Sequence, residues 1–302
     1  MESVQRNGNG HKLGFVTPLR YPGGKRKLLN FFSSLIKEND LFGVNYVEPF
    51  AGGAGLALSL LMLGYVKTIY LNDLDFAIYT FWKIVIEQPD KLCGKIEEAP
   101  VVPSFWIQQR DILKDPKQHN ELDVAFATLY LNRTNRSGIL RGGPIGGLQQ
   151  KGKWKMDARF NKKELINRIQ KISKFRDKIK VSNQEATDFL LRIAQKIPNA
   201  RDRLIYADPP YFTKGKRLYF NSYSLQDHRR LAEILRKLSG PRLVSYDEAP
   251  SVYALYQGVP FLRYQLHYTA QARQRSGEVM FFWDLNIPPL SNARSWHPML
   301  LS

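Results

Sequence analysis

The chain has almost nothing with which to build a crosslink or a soft-metal site: one cysteine, Cys93, in 302 residues. A lone thiol excludes an intramolecular disulfide and argues against a cysteine-based metal centre, so a reducing cytoplasm is the default setting and no metal is expected. Long apolar runs are missing too. None reaches the ~18 residues that a membrane-spanning helix requires, and no basic amphipathic anchor stands out. The opening stretch MESVQRNGNGHKLG holds no apolar segment of signal-peptide length. No period of ~20–50 residues recurs, which sets aside solenoids and arrays.

Acidic residues are the other shortage. There are 27 Asp and Glu against 45 Lys and Arg, a formal charge of +18. An excess of this size is more than a solubility device, because a persistent positive field concentrates polyanions and steers their approach. It puts nucleic acid ahead of an anionic membrane as the partner. Hydrophobic residues at 43% and aromatic residues at 12% exclude a disordered chain. The length allows one substantial core and a smaller second unit.

The order of elements reads as α/β. Residues 1–14 are polar, dotted with glycine and expected to be flexible. LRYPGGKRKLLNFFSSLI then sets a Pro-Gly-Gly turn before a helix, with Leu28, Leu29, Phe32, Leu35 and Ile36 at helical spacing. VNYVEPFAGGAGLALSLLMLG predicts a buried strand over Val44–Glu48, a glycine-rich turn at 51–55 and a helix over Leu56–Leu63. VKTIYLNDLD adds a strand at 66–71 ending in acids. Strand, glycine turn, helix and acid-tipped strand together form the layout of a nucleoside-binding unit. Residues 85–178 differ, with Pro89, Pro100, Pro103 and Pro116, a helical stretch near 121–132 and the basic, glycine-rich NRTNRSGILRGGPIGGLQQKGKWK. They read as an insertion with surface loops. The α/β rhythm resumes with IKVSN, EATDFLLRIAQK and RLIYADPPYF, then a helix over SLQDHRRLAEILRKL with Ser224 as its N-cap. RLVSY, FLRYQLHY and EVMFFWDL close the sheet, the last two as an antiparallel pair. The final stretch has no clear period.

The strongest local signal is Asp208-Pro209-Pro210-Tyr211 after the apolar LIYA. Two prolines at a strand end stiffen the backbone and remove two N–H donors, leaving carbonyl acceptors, to which Asp208 adds a carboxylate. Such a surface can receive both hydrogens of an amino group, and Tyr211 offers a ring face to a planar base. An ordinary proline turn accounts for any one of these residues, but poorly for all four together. In the turn EPFAGGAG, the missing side chains of Gly52, Gly53 and Gly55 would let a ligand approach the backbone, although a tight turn explains the glycines equally well. The pattern is not GxGxxG, which disfavours a nicotinamide dinucleotide.

Taken in order, RYPGGK, VEPFAGGAG, NDLD and ADPPY resemble the Dam-type class of N6-adenine DNA methyltransferases, over about Leu19 to Leu285. LYLNRTNRSGILR resembles the segment leading into that family's DNA-reading loop. The resemblance implies a Rossmann-like, S-adenosylmethionine-dependent methyltransferase fold, with a mainly parallel sheet and an antiparallel final strand. It divides the chain into a catalytic domain (15–84 and 179–286), a target-recognition insertion (85–178) and a tail (287–302). It implies catalysis by Asp208, Pro209, Pro210 and Tyr211 on an adenine flipped out of duplex DNA. Cofactor contacts are implied for Tyr21, Gly24, Lys25, Glu48, Pro49, Phe50, Gly52, Gly53, Gly55, Asp73 and Asp208. Tyr21 stands where well-known members have tryptophan, and an aromatic ring is retained. Asp73 would accept ribose hydroxyls, its plainer alternative being a helix N-cap. Lys25 could meet the methionine carboxylate or lie near the base, and a solvated lysine in a basic run is a third reading. For DNA the resemblance points to Arg133, Arg136, Arg141 and Lys153, with Arg141 as the base contact. Arginine pairs bidentately with guanine, whereas lysine mostly neutralises phosphate. A solvated basic loop is the competing reading. Arg273 and Arg275 suit either phosphate or a hairpin turn.

Duplex DNA is thus the expected partner, with the protein acting at the nucleoid as a monomer or weak dimer. No nuclease motif is evident, so a restriction endonuclease acting with it would be a separate chain. The rivals are an RNA adenine-N6 methyltransferase and a catalytically silent DNA-binding subunit on the same scaffold. Protein-glutamine methyltransferases carry Asn at the head of the Pro-Pro-Tyr motif, where this chain has Asp208.

Overall fold

The computed structural model describes residues 16–20, 25–211, 223–266, 277–288 and 296–299. A 3-10 turn, Lys25–Leu28, leads into α1 (Leu29–Glu38), which buries Phe31, Phe32, Leu35 and Ile36. Strand β1 (Val44–Glu48) is buried at every position, as expected of a parallel strand covered on both faces. A glycine turn joins it to α2 (Gly55–Met62), buried without a break from Leu56 to Leu61 and apolar all round. Strand β2 (Val66–Asn72) follows, then α3 (Phe76–Glu87), whose N-cap Asp75 accepts the Ala77 N–H at 2.9 Å.

Residues 89–173 hold four helices, α4 (Pro89–Glu98), α5 (Pro103–Ile112), α6 (Glu121–Thr134) and α7 (Lys162–Ser173). Proline at the first turn of α4 and α5 suits a position whose N–H lacks an intrahelical partner anyway. Leu92, Ile96, Trp106, Leu129, Tyr130, Leu165 and Ile169 join one continuous apolar cluster with Leu35, Tyr46 and Ile69 of the sheet side. Residues 89–173 therefore share the sheet's apolar core.

The chain then returns through β3 (Ile179–Ser182), α8 (Ala186–Lys196), β4 (Arg203–Ala207) and α9 (Leu225–Lys237). A reciprocal capping box between Ser224 and Asp227 starts α9. Last come β5 (Arg242–Asp247), α10 (Pro250–Leu255), β6 (Phe261–Leu266), β7 (Gly277–Trp283) and β8 (Trp296–Met299). The sheet order is β3-β2-β1-β4-β5-β7-β6-β8. The first five strands run parallel, and β7 is antiparallel to both β5 and β6. Strand β8 pairs antiparallel with β6, an addition that the sequence pattern did not signal. The order reverses at β1 and β4, which places their C-terminal ends beside the crevice where α/β sheets bind ligands.

Phe32 is fully buried between the edges of Tyr46 and Tyr206, with ring centroids 6.2 and 4.9 Å away. We expect Phe32→Ala to lower stability by about 3–5 kcal/mol in urea unfolding. The same change at Phe42, whose side chain is 58% exposed, should cost less than about 1 kcal/mol.

Candidate active site

The glycine turn is strapped between two strand ends. Ala51 N–H donates to the Asn72 carbonyl at 2.8 Å, and Asn72 Nδ2 donates to the Pro49 carbonyl at 3.1 Å. Gly52, at φ +45°, gives its N–H to Asp73 Oδ2 and receives the indole N–H of buried Trp82 on its carbonyl, both at 2.8 Å. The backbone at the tip of the turn is thus held by groups beneath it. Glu48, at the end of β1, is buried and accepts the Tyr46 hydroxyl at 3.0 Å. Burial pushes its carboxyl up to about 8, against the Tyr46 hydrogen bond, and the nearby Asp208 charge adds to the rise. Burial likewise pushes Asp73 up to about 7, helped by Asp75 and opposed by the Gly52 and Asp75 N–H groups.

Asp208 follows β4 directly. Ser245 Oγ of β5 donates to its Oδ1 at 2.6 Å, and Ser245 also meets the Tyr206 hydroxyl at 2.8 Å. Lys25 Nζ lies 3.2 Å from the same Asp208 oxygen and 3.0 Å from Glu278 Oε2. Tyr264 of β6 donates to Glu278 Oε2 at 2.7 Å. The side chains of Lys25 and Glu278 are 5% and 2% exposed, that of Asp208 27%, so Asp208 is the member of the group open to an incoming molecule. Desolvation raises the Asp208 carboxyl above the usual range, with Lys25 and Ser245 pulling it back and Glu278 adding to the rise. Tyr211 places its ring 5.6 Å from Lys25 Nζ.

A basic loop follows α6. Asn135, fully buried, accepts the Trp106 indole N–H at 2.7 Å and donates to the Ile139 and Leu140 carbonyls. Asn132 grips both the N–H and the carbonyl of Arg20 and reaches the Gly138 carbonyl at 2.9 Å. Gly138, at φ +77°, lies so close to the Arg20 carbonyl that a Cβ there would collide with backbone. Farther on, Gln150 donates to the Ile145 and Gly147 carbonyls and accepts the Met156 N–H at 3.0 Å. On this scaffold Arg136, Arg141, Lys151, Lys153 and Lys155 are exposed. Trp154 is 66% exposed beside Lys153.

The family model for the D12 class of N6 adenine-specific DNA methyltransferases matches residues 21–274. The chain belongs to that class. It is 25% identical over 240 residues to the type II methyltransferase M.MjaIII of Methanocaldococcus jannaschii, covering 73% of this chain and 79% of that protein. It is 27% identical over 258 residues to a DNA adenine methylase of Vibrio cholerae, covering 80% and 84%. Among solved structures, the rRNA methyltransferase aviRa of Streptomyces viridochromogenes aligns at a TM-score of 0.37 and 12% identity, over 87% of this chain and 85% of that one.

In this D12-class enzyme, Glu48, Pro49, Phe50, Gly52, Gly53 and Asp73 gather at the ends of β1 and β2, while Asp208, Pro209, Pro210 and Tyr211 continue from β4, which pairs with β1. Lys25 joins the Asp208 group. Gly55 starts α2 with its Cβ position toward Thr17 and the Arg26 stem, so its missing side chain faces protein and not the crevice. Arg133 is turned inward: it is buried and its Nε donates to the Arg159 carbonyl at 2.8 Å. Burial and the neighbouring Arg168, Arg20 and Arg159 push its guanidinium down to about 10. It is therefore not among the cations that the loop exposes. Tyr21, Gly24, Arg273 and Arg275 lie outside the described residues, as do residues 1–14 and most of 287–302. Ser245, Tyr264 and Glu278 escaped sequence reasoning. The one available signal was Glu278 as a lone acid heading the apolar strand EVMFF.

The raised Glu48 carboxyl sets a pH dependence. Between about pH 4.5 and 8 the folded chain keeps a proton there that the unfolded chain has released, so stability falls as pH rises through that window. The slope contributed is at most about 1.4 kcal/mol per pH unit. Glu48→Gln removes this term. Its urea midpoint should match the parent's near pH 4.5 and exceed it increasingly toward pH 8; equal midpoints at pH 8 would show Glu48 ionised at no cost.

Proposed function

We propose that the enzyme transfers a methyl group from S-adenosylmethionine to N6 of an adenine flipped out of duplex DNA. The observation that carries this reading is the Asp208 carboxylate. It is partly open, gripped by Ser245 and Lys25, and followed at once by Pro209, Pro210 and Tyr211.

The chemistry of the adjoining strand ends suits the cofactor. Asp73 and Glu48 are acceptors for hydroxyl and ammonium groups, and their raised carboxyls mark a place that a cationic ligand would relieve. The strapped turn at Gly52 offers backbone without a side chain in the way. When bound, S-adenosylmethionine supplies a sulfonium-activated methyl and leaves as a neutral thioether. The protein's part is to make N6 a nucleophile. Asp208 and the Pro209 carbonyl accept the amino hydrogens and draw nitrogen out of conjugation, so its lone pair faces the methyl carbon. Methylation would leave N6 positive, and the Asp208 side would take the one proton that N6 then releases. Positioning of this kind supplies about 7–11 kcal/mol at best. Tyr211 stacks on the extruded ring, offsetting part of the few kcal/mol lost on flipping. Arg141 reads a base edge, while Arg136 and Lys153 hold phosphates.

Asp208→Ala should cut methyl transfer to genomic DNA by about 10³-fold or more while folding and S-adenosylmethionine binding persist. Retained turnover in that variant would refute the assignment. Sequencing of the parent's product should map N6-methyladenine to one short motif. Arg141→Ala should relax that motif at one position, and uniform weakening across sequences would instead make Arg141 a phosphate contact.

A further inference from the structure

Lys25 already bonds the Asp208 carboxylate to which the proposed function assigns the adenine amino group. Its ammonium lies 3.2 Å from the Asp208 carboxylate and 5.6 Å from the centre of the Tyr211 ring. Asp208 Oδ1 already accepts Ser245 Oγ at 2.6 Å. With both of those donors on it Oδ1 is filled, so an N6 hydrogen reaches Oδ1 only when one donor leaves, Oδ2 being the other acceptor of the carboxylate. Ser245 sits on β5 with its hydroxyl tied to Tyr206, so Lys25 is the donor able to move. A buried ammonium stripped of its carboxylate is strongly disfavoured unless a second partner is at hand. Glu278 is that partner. It lies 3.0 Å from Lys25 Nζ, is buried on β7, and is fixed by the hydroxyl of Tyr264, its cross-strand neighbour on β6.

We propose that Glu278 is a positioning residue: it holds Lys25 when the adenine amino group takes over Asp208, so that the pocket can switch from an internal to an external donor. The inference rests on the adenine reading of the Asp208 pocket. Glu278 touches neither base nor methyl donor and acts through Lys25. Among the described residues, the charged and titratable groups near the pair include Asp208 from the end of β4, Tyr206 from β4 and Tyr264 from β6. With Gln at 278 the neighbouring carboxylate is gone, so Lys25 stays on Asp208 and competes with the base for it.

The test uses the full chain and a duplex carrying the motif mapped from the parent's methylation, together with the same duplex bearing purine, which lacks the 6-amino group, in place of the target adenine. Without cofactor, the ratio of the two dissociation constants measures what the amino group contributes to binding. In Glu278→Gln this ratio should shift several-fold against adenine. Single-turnover methylation should fall about 100-fold, the scale of a misplaced reacting group, with the S-adenosylmethionine dissociation constant unchanged. Adding Lys25→Met to Glu278→Gln should restore the ratio and recover at least about tenfold in rate, since the competing ammonium is gone. A ratio unchanged in Glu278→Gln overturns the proposal, and so does a double variant no better than Glu278→Gln alone. Failure of the underlying adenine reading shows separately, as a parent protein that methylates no adenine.

Discussion

Everything at this site turns on three carboxyl groups at neighbouring strand ends, Glu48 buried and Asp73 and Asp208 half-buried, whose surroundings strip away much of their water. Glu48, Asp73 and Asp208 terminate or follow β1, β2 and β4, and burial drives all three upward from their ordinary range. Burying such groups works against folding unless hydrogen bonds or opposite charge offset the lost solvation. The surrounding structure is arranged as those offsets. Tyr46 serves Glu48, the Gly52 N–H serves Asp73, and Ser245 with Lys25 serves Asp208. The compensation is incomplete, which leaves a crevice poised for positive charge. A cationic methyl donor and an amino group that becomes positive during reaction both suit it.

The basic loop after α6 solves a different problem. A chain of charge +18 must present cations without letting them repel the loop open. Neutral amides carry the fold there: Asn132, Asn135 and Gln150 each satisfy two or more backbone groups. Amides thus hold the backbone of a loop that exposes cations at 136, 141 and 153. Buried Arg133 belongs to the supporting layer, with its Nε on the Arg159 carbonyl. Pre-organisation of this sort lowers the ordering cost of binding.

What could be read from the chain was what lies close together along it. The Pro-Pro-Tyr motif after an apolar strand, the glycine turn and the Ser224 cap each act within a few residues, so a local pattern reveals them. The parallel order of the sheet followed from strands alternating with helices. What stayed hidden depends on long-range juxtaposition. Ser245 and Glu278 sit 37 and 70 residues past Asp208, in strands where each looks like an ordinary polar interruption. Their roles arise only because β5 flanks β4 and β7 flanks β5. Arg133 was misplaced for the same reason. In sequence it belongs to a basic run, but it closes α6, a helix buried from Val124 to Thr134, and faces the arginines of other elements. Strand β8 had no periodic signal because a four-residue edge strand is too short to show one.

These two halves meet in the segment just before α1. Arg20 has its backbone clamped by Asn132 and pressed against Gly138, so it is part of the basic loop's foundation. Thr17 is tied to Arg168 of α7 through its carbonyl at 2.7 Å. Only four residues separate Arg20 from Lys25, whose ammonium sits between Asp208 and Glu278. The basic loop and the carboxylate cluster are therefore anchored at neighbouring points of one short stretch of sequence, Arg20 through its backbone and Lys25 through its ammonium, so each is fixed by its own set of bonds.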